Sequence, residues 1–326
     1  LKKCISRSYF SFIPNLLERG STTNILLNLF CKMDNEIGIE YMLQFSYIDV
    51  NTKYLNQSPL EYCIKNKNSQ ASLLLLSNDK FDLQKDEKSR THYSQLASSD
   101  GETLLQLACK LGLSDLVEYF LQKKIFNFNA TSTGFSAVQL ACLSGDTDTF
   151  QKIVEYKRKS VKINVRVKCG EYKGFTLLHL ACVSGNPEIV EILLEYEKIK
   201  VNIRDGIKKW TPLQHAISKG HSEVVSLLLN RDDIETDLLT DEGETLLHLA
   251  CKSNKEDIVD MLINNPDFPT KYDLNQRTNN QKTPLQFALM NGNINMISVL
   301  MNIDATAKPK RGKKGQKKKN SKTQSE

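Results

Sequence analysis

The sequence predicts an all-α solenoid: a stack of helix-turn-helix units separated by short β-like fingers and followed by a basic tail. Three observations lead there. The triplet Leu-Ala-Cys recurs at Leu107-Ala108-Cys109, Leu140-Ala141-Cys142, Leu180-Ala181-Cys182 and Leu249-Ala250-Cys251, with Leu29-Phe30-Cys31 as a weaker copy. An anchoring leucine or valine falls at Leu27, Leu60, Leu105, Val138, Leu178, Leu213, Leu247 and Leu285, a period of about 33 residues with insertions. The same start and stop signals punctuate the copies. Self-similarity at such a period marks an array in which each unit buries its apolar face only against its neighbours.

The clearest copy runs from Thr211 to Leu229 and encodes two short helices. Thr211 suits the N-cap, Pro212 fits the first helical position where no N–H is needed, and Gly220 supplies the left-handed residue that ends the helix. Ser58-Pro59 and Thr283-Pro284 repeat the start, while Gly112, Gly145, Gly185 and Gly292 repeat the stop. The second helix begins near Asn186-Pro187 or Ser222. It carries paired apolar residues, Ile189-Val190 with Leu193-Leu194 and Val224-Val225 with Leu228-Leu229, which form one buried stripe. Segments such as 201–205 are too brief for a helix and suit an extended finger with a tight turn.

Composition fits this array. With 326 residues, 40% hydrophobic and 25% charged, the chain is neither collagenous nor a disulfide miniprotein nor wholly disordered. Its strongest apolar run, Leu73-Leu74-Leu75-Leu76, is far below the roughly 20 residues of a membrane span. The net charge of +6 is uneven, because residues 305–326 carry +8 and residues 1–304 carry −2.

On these residues the chain closely resembles the ankyrin-repeat family, whose unit runs Thr-Pro-Leu-His, a small-residue pair, Gly, then Val-Val and Leu-Leu. The resemblance covers residues 21–304 as eight copies, with insertions near 83–100 and 157–174. The copies depart from the pattern in places. Repeat one starts at Ile25 without a capping Thr, repeat two has Lys67 where Gly is expected, and repeat seven has Asn254 near the same stop. Residues 1–20 end in Leu16-Leu17-Glu18-Arg19-Gly20, similar to the end of a second ankyrin helix, and the expectation is that they are the remnant of a preceding repeat. Residues 305–326 lack an apolar core and are expected to be disordered.

The cysteines of the triplets occupy a small-residue slot where neighbouring helices approach, and equivalent slots about 10 Å apart are too distant for disulfides. They are expected to be reduced, which points to the cytoplasm or nucleus. His179 and His248 fill the family's Thr-Pro-Leu-His slot, where the resemblance implies that the imidazole bridges backbone groups, and His221 follows a stop glycine. His92 and His215 have no assigned role. There is no GxxxxGK[ST], GxGxxG or HExxH motif and no arranged nucleophile, so neither an enzyme nor a cofactor or metal site is expected.

The inter-repeat segments carry the candidate site. Residues 157–174 have a net charge of +6 and residues 198–210 of +4, whereas residues 231–244 reverse to −6, an expected dipolar strip. The residue before the capping Ser or Thr is Phe135, Phe175 and Trp210 in three consecutive units but Glu102 and Glu244 in flanking ones. The candidate partner-binding residues are therefore Phe135, Phe175, Trp210, Lys157, Arg158, Lys159, Lys208 and Lys209, with packing of the rings onto the finger as the alternative. The tail bases Lys308, Lys310, Arg311, Lys313, Lys314, Lys317, Lys318 and Lys319 form a nuclear-import candidate, a nucleic-acid contact or a solubilising end. The resemblance implies a non-enzymatic protein–protein scaffold or adaptor, expected to be monomeric, that binds a protein on a concave surface of fingers and inner helices. The alternative is nucleic-acid or chromatin association through the tail.

Overall fold

A computed structural model of the chain describes residues 20–79, 101–123, 134–156, 161–265 and 274–306. Several sequence expectations lie outside them: the possible remnant before residue 20, the insertion at 83–100, His92, the bases Lys157, Arg158 and Lys159, and the Lys-rich tail beyond residue 306. The chain divides into two compact units, Leu1–Thr236 and Asp237–Glu326.

The described helices come in pairs. In the first unit they are α1 (Gly20–Lys32) with α2 (Glu36–Leu43), α3 (Pro59–Lys65) with α4 (Ser69–Ser77), and α5 (Leu104–Leu111) with α6 (Ser114–Gln122). The next three pairs are α7 (Ala137–Ser144) with α8 (Thr147–Tyr156), α9 (Leu177–Ser184) with α10 (Pro187–Leu194), and α11 (Pro212–Lys219) with α12 (Ser222–Leu229). The second unit holds α13 (Leu246–Ser253) with α14 (Glu256–Ile263), and α15 (Pro284–Asn291) with α16 (Ile294–Thr306). Two boundaries differ from the expectation. The first helix starts at Gly20, ahead of Ile25, and the last runs through Ala305 and Thr306 rather than stopping at 304.

Local chemistry sets the helix ends. Ser58, Thr103, Thr176, Thr211, Thr245 and Thr283 hold extended backbone at the N-cap, and Gly112, Gly145, Gly185, Gly220 and Gly292 close the first helices with positive φ. Lys67 and Asn254 take the same left-handed conformation at φ 59°, so those two copies keep the turn without glycine. Asn tolerates it through its short polar side chain, while Lys bears a steric cost.

In the first unit the first helices stack in the order α1, α3, α5, α7, α9, α11, and the second helices stack beside them in the order α2, α4, α6, α8, α10, α12. In the second unit α13 packs on α15 and α14 on α16. The core is the apolar stripe of each pair, for instance Leu178, Leu180 and Ala181 with Ile189, Val190 and Leu193, all fully buried. Each such leucine contributes about 1.5–3 kcal/mol of transfer free energy. Among the described residues the fingers form no strands. They close by a few backbone bonds such as Thr240 N–H to Glu244 C=O (3.0 Å) and Thr278 N–H to Lys282 C=O (3.0 Å), both in the second unit.

Cys109, Cys142, Cys182 and Cys251 are buried and unbonded, and the Cys142 thiol donates to the Leu177 carbonyl of the next repeat (3.2 Å). One pair departs from the spacing argument. Cys63 sits one position early in its helix, and its thiol hydrogen-bonds that of Cys31, a contact that together with burial pushes the Cys31 thiol up. Burial raises Cys109, Cys142 and Cys182 as well, and pushes Cys251 up to about 12. Thiols so shifted carry little thiolate and react slowly. A water-soluble thiol reagent should therefore consume exposed Cys169 quickly and reach the four triplet cysteines only as the chain unfolds. Cys169→Ser should remove a fast phase, and native disulfides or stoichiometric zinc among the four would overturn the assignment.

Candidate partner-binding surface

The fingers at 161–175 and 199–210, both in the first unit, carry the expected site. The earlier finger closes through Val167 N–H to Phe175 C=O (2.8 Å) and Gly174 N–H to Val167 C=O (2.9 Å), the later one through Asp205 N–H to Trp210 C=O (2.9 Å). Gly206 N–H then donates to Lys173 C=O (3.1 Å), which ties the tips together. The approach requires glycine: Gly174 has φ +85°, and a Cβ there would overlap the Gly206 backbone. At the other end, Asn164 donates to Lys198 C=O (2.7 Å) and accepts from Lys200 N–H (3.1 Å). Asn202 repeats this with Asp233 C=O (2.7 Å) and Glu235 N–H (3.1 Å). The earlier finger is thus bonded to the later one three times, and the later one to the segment after it twice.

Asp205 organises the later tip. Its Oδ1 accepts from the N–H groups of Ile207 (2.6 Å) and Lys208 (2.8 Å), and its Oδ2 accepts from Trp210 N–H (3.0 Å) and lies 2.9 Å from His215 Nε2. Burial alone would raise this carboxyl, but the bonds from His215 and the three amides outweigh it and hold Asp205 below the usual range. Burial lowers His215, with the Asp205 bond offsetting part of the shift, so a neutral imidazole donates Nε2–H to the carboxylate. The pair shapes the finger, and both oxygens are already occupied. This gives His215 the role that sequence reasoning missed. The available signal was an Asp ten residues ahead of a helix-borne His across a tight turn.

His179 links the two fingers. Its Nδ1 lies 3.2 Å from the Thr176 N–H and 2.8 Å from the Thr176 hydroxyl, and its Nε2 lies 3.1 Å from the Trp210 carbonyl. Accepting at Nδ1 fixes the tautomer with the proton on Nε2, which donates to Trp210. Gln106 makes the same link without a titratable group, accepting from Thr103 N–H (2.8 Å) and donating to Phe135 C=O (2.7 Å). In the second unit His248 bridges Thr245 N–H (3.1 Å) and Lys282 C=O (3.1 Å). Burial, with a smaller push from His215, lowers His179 to about 4.

The aromatic residues do come together, but as packing. Phe135 meets Tyr172 (ring centroids 6.1 Å), Tyr172 meets Phe175 (5.3 Å), Phe175 meets His215 (4.7 Å), and Trp210 meets His215 (5.3 Å). Phe175 is 5% exposed and Trp210 7%, with Phe135 half-buried. Of the two readings offered for these rings, packing onto the finger describes their burial: the interposed Tyr172 and His215 close the row into the repeat stack. What faces water is basic. Lys168, Lys173, Lys208 and Lys209 are exposed, Ile207 is 50% exposed, and the Lys208 ammonium lies 4.3 Å from the Trp210 ring centroid. Among the described ion pairs none involves Lys173, Lys208 or Lys209. The acidic block is partly spent at home. Asp233 pairs with Arg231 (2.7 Å) in the first unit, and Glu244, buried, with Lys252 (2.9 Å) in the second. Glu102 makes the same bond to Lys110 (2.9 Å), so a glutamate before the cap is answered by a lysine eight residues on.

A family model described as ankyrin repeats (3 copies) matches residues 80–167, 158–238 and 232–313. The chain belongs to the ankyrin-repeat family. No curated protein matches the chain. The two helix pairs before residue 80 lie outside the match, and the second of them opens with the same kind of cap, Ser58 followed by Pro59. Ankyrin repeats are generally protein–protein interaction modules, and here the fingers are locked by the bonds described above. Among the described residues no helix is long and apolar enough to cross a membrane, and no group of three or more His, Cys, Asp or Glu is placed to hold a metal ion.

Two predictions follow from the ankyrin links. His179 is lowered in the fold, so it stabilises above its unfolded value of about 6.5, and that stability is lost as pH falls through about 4, on the order of 3 kcal/mol in all. His179→Gln, which copies Gln106, should flatten the loss of stability between pH 7 and 4 in denaturant melts. An unchanged slope would overturn the assignment. Trp210→Ala should cost about 3 kcal/mol of stability, as loss of a packed ring does, and a wild-type melting temperature would contradict the burial.

Proposed function

We propose that the chain is a non-enzymatic scaffold or adaptor whose protein partner seats on the fingers of repeats four to six and the adjoining ends of the first helices. The observation that carries this reading is the cluster of exposed lysines at the finger tips, Lys173, Lys208 and Lys209, which have no carboxylate partner among the described ion pairs and stand on a hydrogen-bonded, glycine-tight frame. Rigid display lowers the entropy cost of binding, and unpaired surface charge steers association. Lys157, Arg158 and Lys159 extend the same basic block in sequence. The seven described cysteines form no disulfide, which supports a cytoplasmic or nuclear setting.

The second reading is nucleic-acid or chromatin association through the tail, favoured by its net charge of +8. Two full-length variants separate them. One reverses Lys157, Arg158, Lys159, Lys208 and Lys209 to Glu. The other neutralises Lys308, Lys310, Arg311, Lys313, Lys314, Lys317, Lys318 and Lys319 to Gln. Partners captured by the wild-type chain are purified and remeasured against each variant. The finger variant should bind about tenfold or more weakly, chiefly through slower association and a shallower salt dependence. Retention by the finger variant, with salt-dependent binding to unrelated duplexes lost only in the tail variant, would select nucleic acid.

A further inference from the structure

We propose that Trp210 is a latent anchor for an acidic peptide segment of a partner protein, kept covered by Lys208 until a partner carboxylate draws that lysine away. This rests on the finger reading above and names the partner's chemistry. Three observations carry it. The Lys208 ammonium stands 4.3 Å from the Trp210 ring centroid, although Lys208 is itself exposed and makes none of the described ion pairs. The Trp210 Nε1–H is buried and has no hydrogen-bond partner, whereas the residue's backbone N–H and C=O are both used, by Asp205 and by His179. Beside it, Ile207 is half exposed at the tip, held there by its N–H bond to Asp205.

Competing strengths favour the exchange. An exposed lysine over an indole holds its place weakly, whereas a charged hydrogen bond to a carboxylate is roughly twice as strong as a neutral one. The ring beneath is held in place by His215 at 5.3 Å and by the Asp205 turn, contacts that do not involve the Lys208 side chain and so stay when that side chain moves. Once uncovered, the orphan indole N–H gains an acceptor and the ring gains apolar contact, the combination that makes Trp frequent among dominant interface residues. The complement is an acidic segment with an interspersed apolar side chain: one carboxylate for Lys208, further acids for Lys173 and Lys209, a carbonyl or carboxylate oxygen for Nε1–H, and an aliphatic group against Ile207. Nucleic acid fits less well. With Phe175 and Trp210 buried and Phe135 half-buried, the surface offers no run of open rings on which successive bases stack.

Trp210 is the chain's single tryptophan, so its fluorescence reports this site alone. In the full chain, Lys208→Ala should make Trp210 severalfold more accessible to acrylamide quenching, with an unchanged melting temperature showing that the fold is kept. A synthetic peptide alternating Glu and Leu should shift Trp210 emission and protect it from quenching, an effect lost at high salt. The Gln-for-Glu peptide should not. Lys208→Ala and Lys209→Glu should each weaken the Glu peptide severalfold. Equal quenching in wild type and Lys208→Ala would overturn the cover, and so would peptide binding that leaves Trp210 emission untouched. No binding of the Glu peptide, or tighter binding of oligothymidylate with the same spectral change, would overturn the acidic-peptide class. If purified partners ignore the five-residue finger reversal, the finger reading itself falls; if they respond to it while Trp210 stays silent, only the latent anchor falls.

Discussion

The third side chain of several first helices has two obligations, and the geometry of the fingers there depends on both being met. It must accept from the N–H of the capping residue, which the helix leaves unpaired, and it must donate to a carbonyl of the next finger. Gln106 and His179 do this in the first unit and His248 in the second. Because one planar group serves both ends, the cap of one repeat and the finger of the next are fixed together. Apolar packing supplies most of the stabilisation, but it is non-directional and would permit sliding. Where it is made, the capping link sets the register and calls for a group with an acceptor and a donor on opposite sides; Glu61 stands in the same position of α3 with a carboxyl group instead. Glutamine meets that need at any pH, histidine only while neutral.

On that frame the fingers of repeats four to six become a special place. Asp205 turns four donors inward, which removes its own charge from the tip surface and leaves the lysines beside it unopposed. Gly174 and Gly206 bring the two tips close enough for a backbone bond that no side chain would allow. The rings fill the space beneath. The result separates the surface into an ordered aromatic layer and an exposed basic one, with Lys208 the contact between them. An interface of this kind draws rate and selectivity from the charges and strength from whatever reaches the layer below.

Most of the helical architecture was legible in the residues because its determinants are local and repeated. A capping Ser or Thr, a proline at the first position and a glycine at the stop each act within a turn, and their recurrence multiplies a weak signal. Lys67 and Asn254 show the limit of that logic. The stop is a conformation, not a residue, and both adopt it without being glycine. The side of the finger on which a ring lies was not legible, since Phe135, Phe175 and Trp210 occupy the same register whether they face water or the stack. Tyr172 and His215, outside that register, decide it by closing the gaps between them.

The sequence by itself determined the all-helical repeat, its period, its helix ends, the small buried slots of the cysteines and the uneven charge, because each follows from residue type within one unit. Tertiary structure decided which side chains meet: the pairing of Asp205 with His215 across a turn, the thiol contact of Cys31 with Cys63, the pairing of Asp233 with Arg231 and of Glu244 with Lys252, and the seating of Lys208 over Trp210. Some of these partners stand two residues apart, as Arg231 and Asp233 or Lys208 and Trp210 do, and others a whole repeat apart, as Cys31 and Cys63 are; in each case the side chains meet only because of how the folded backbone turns.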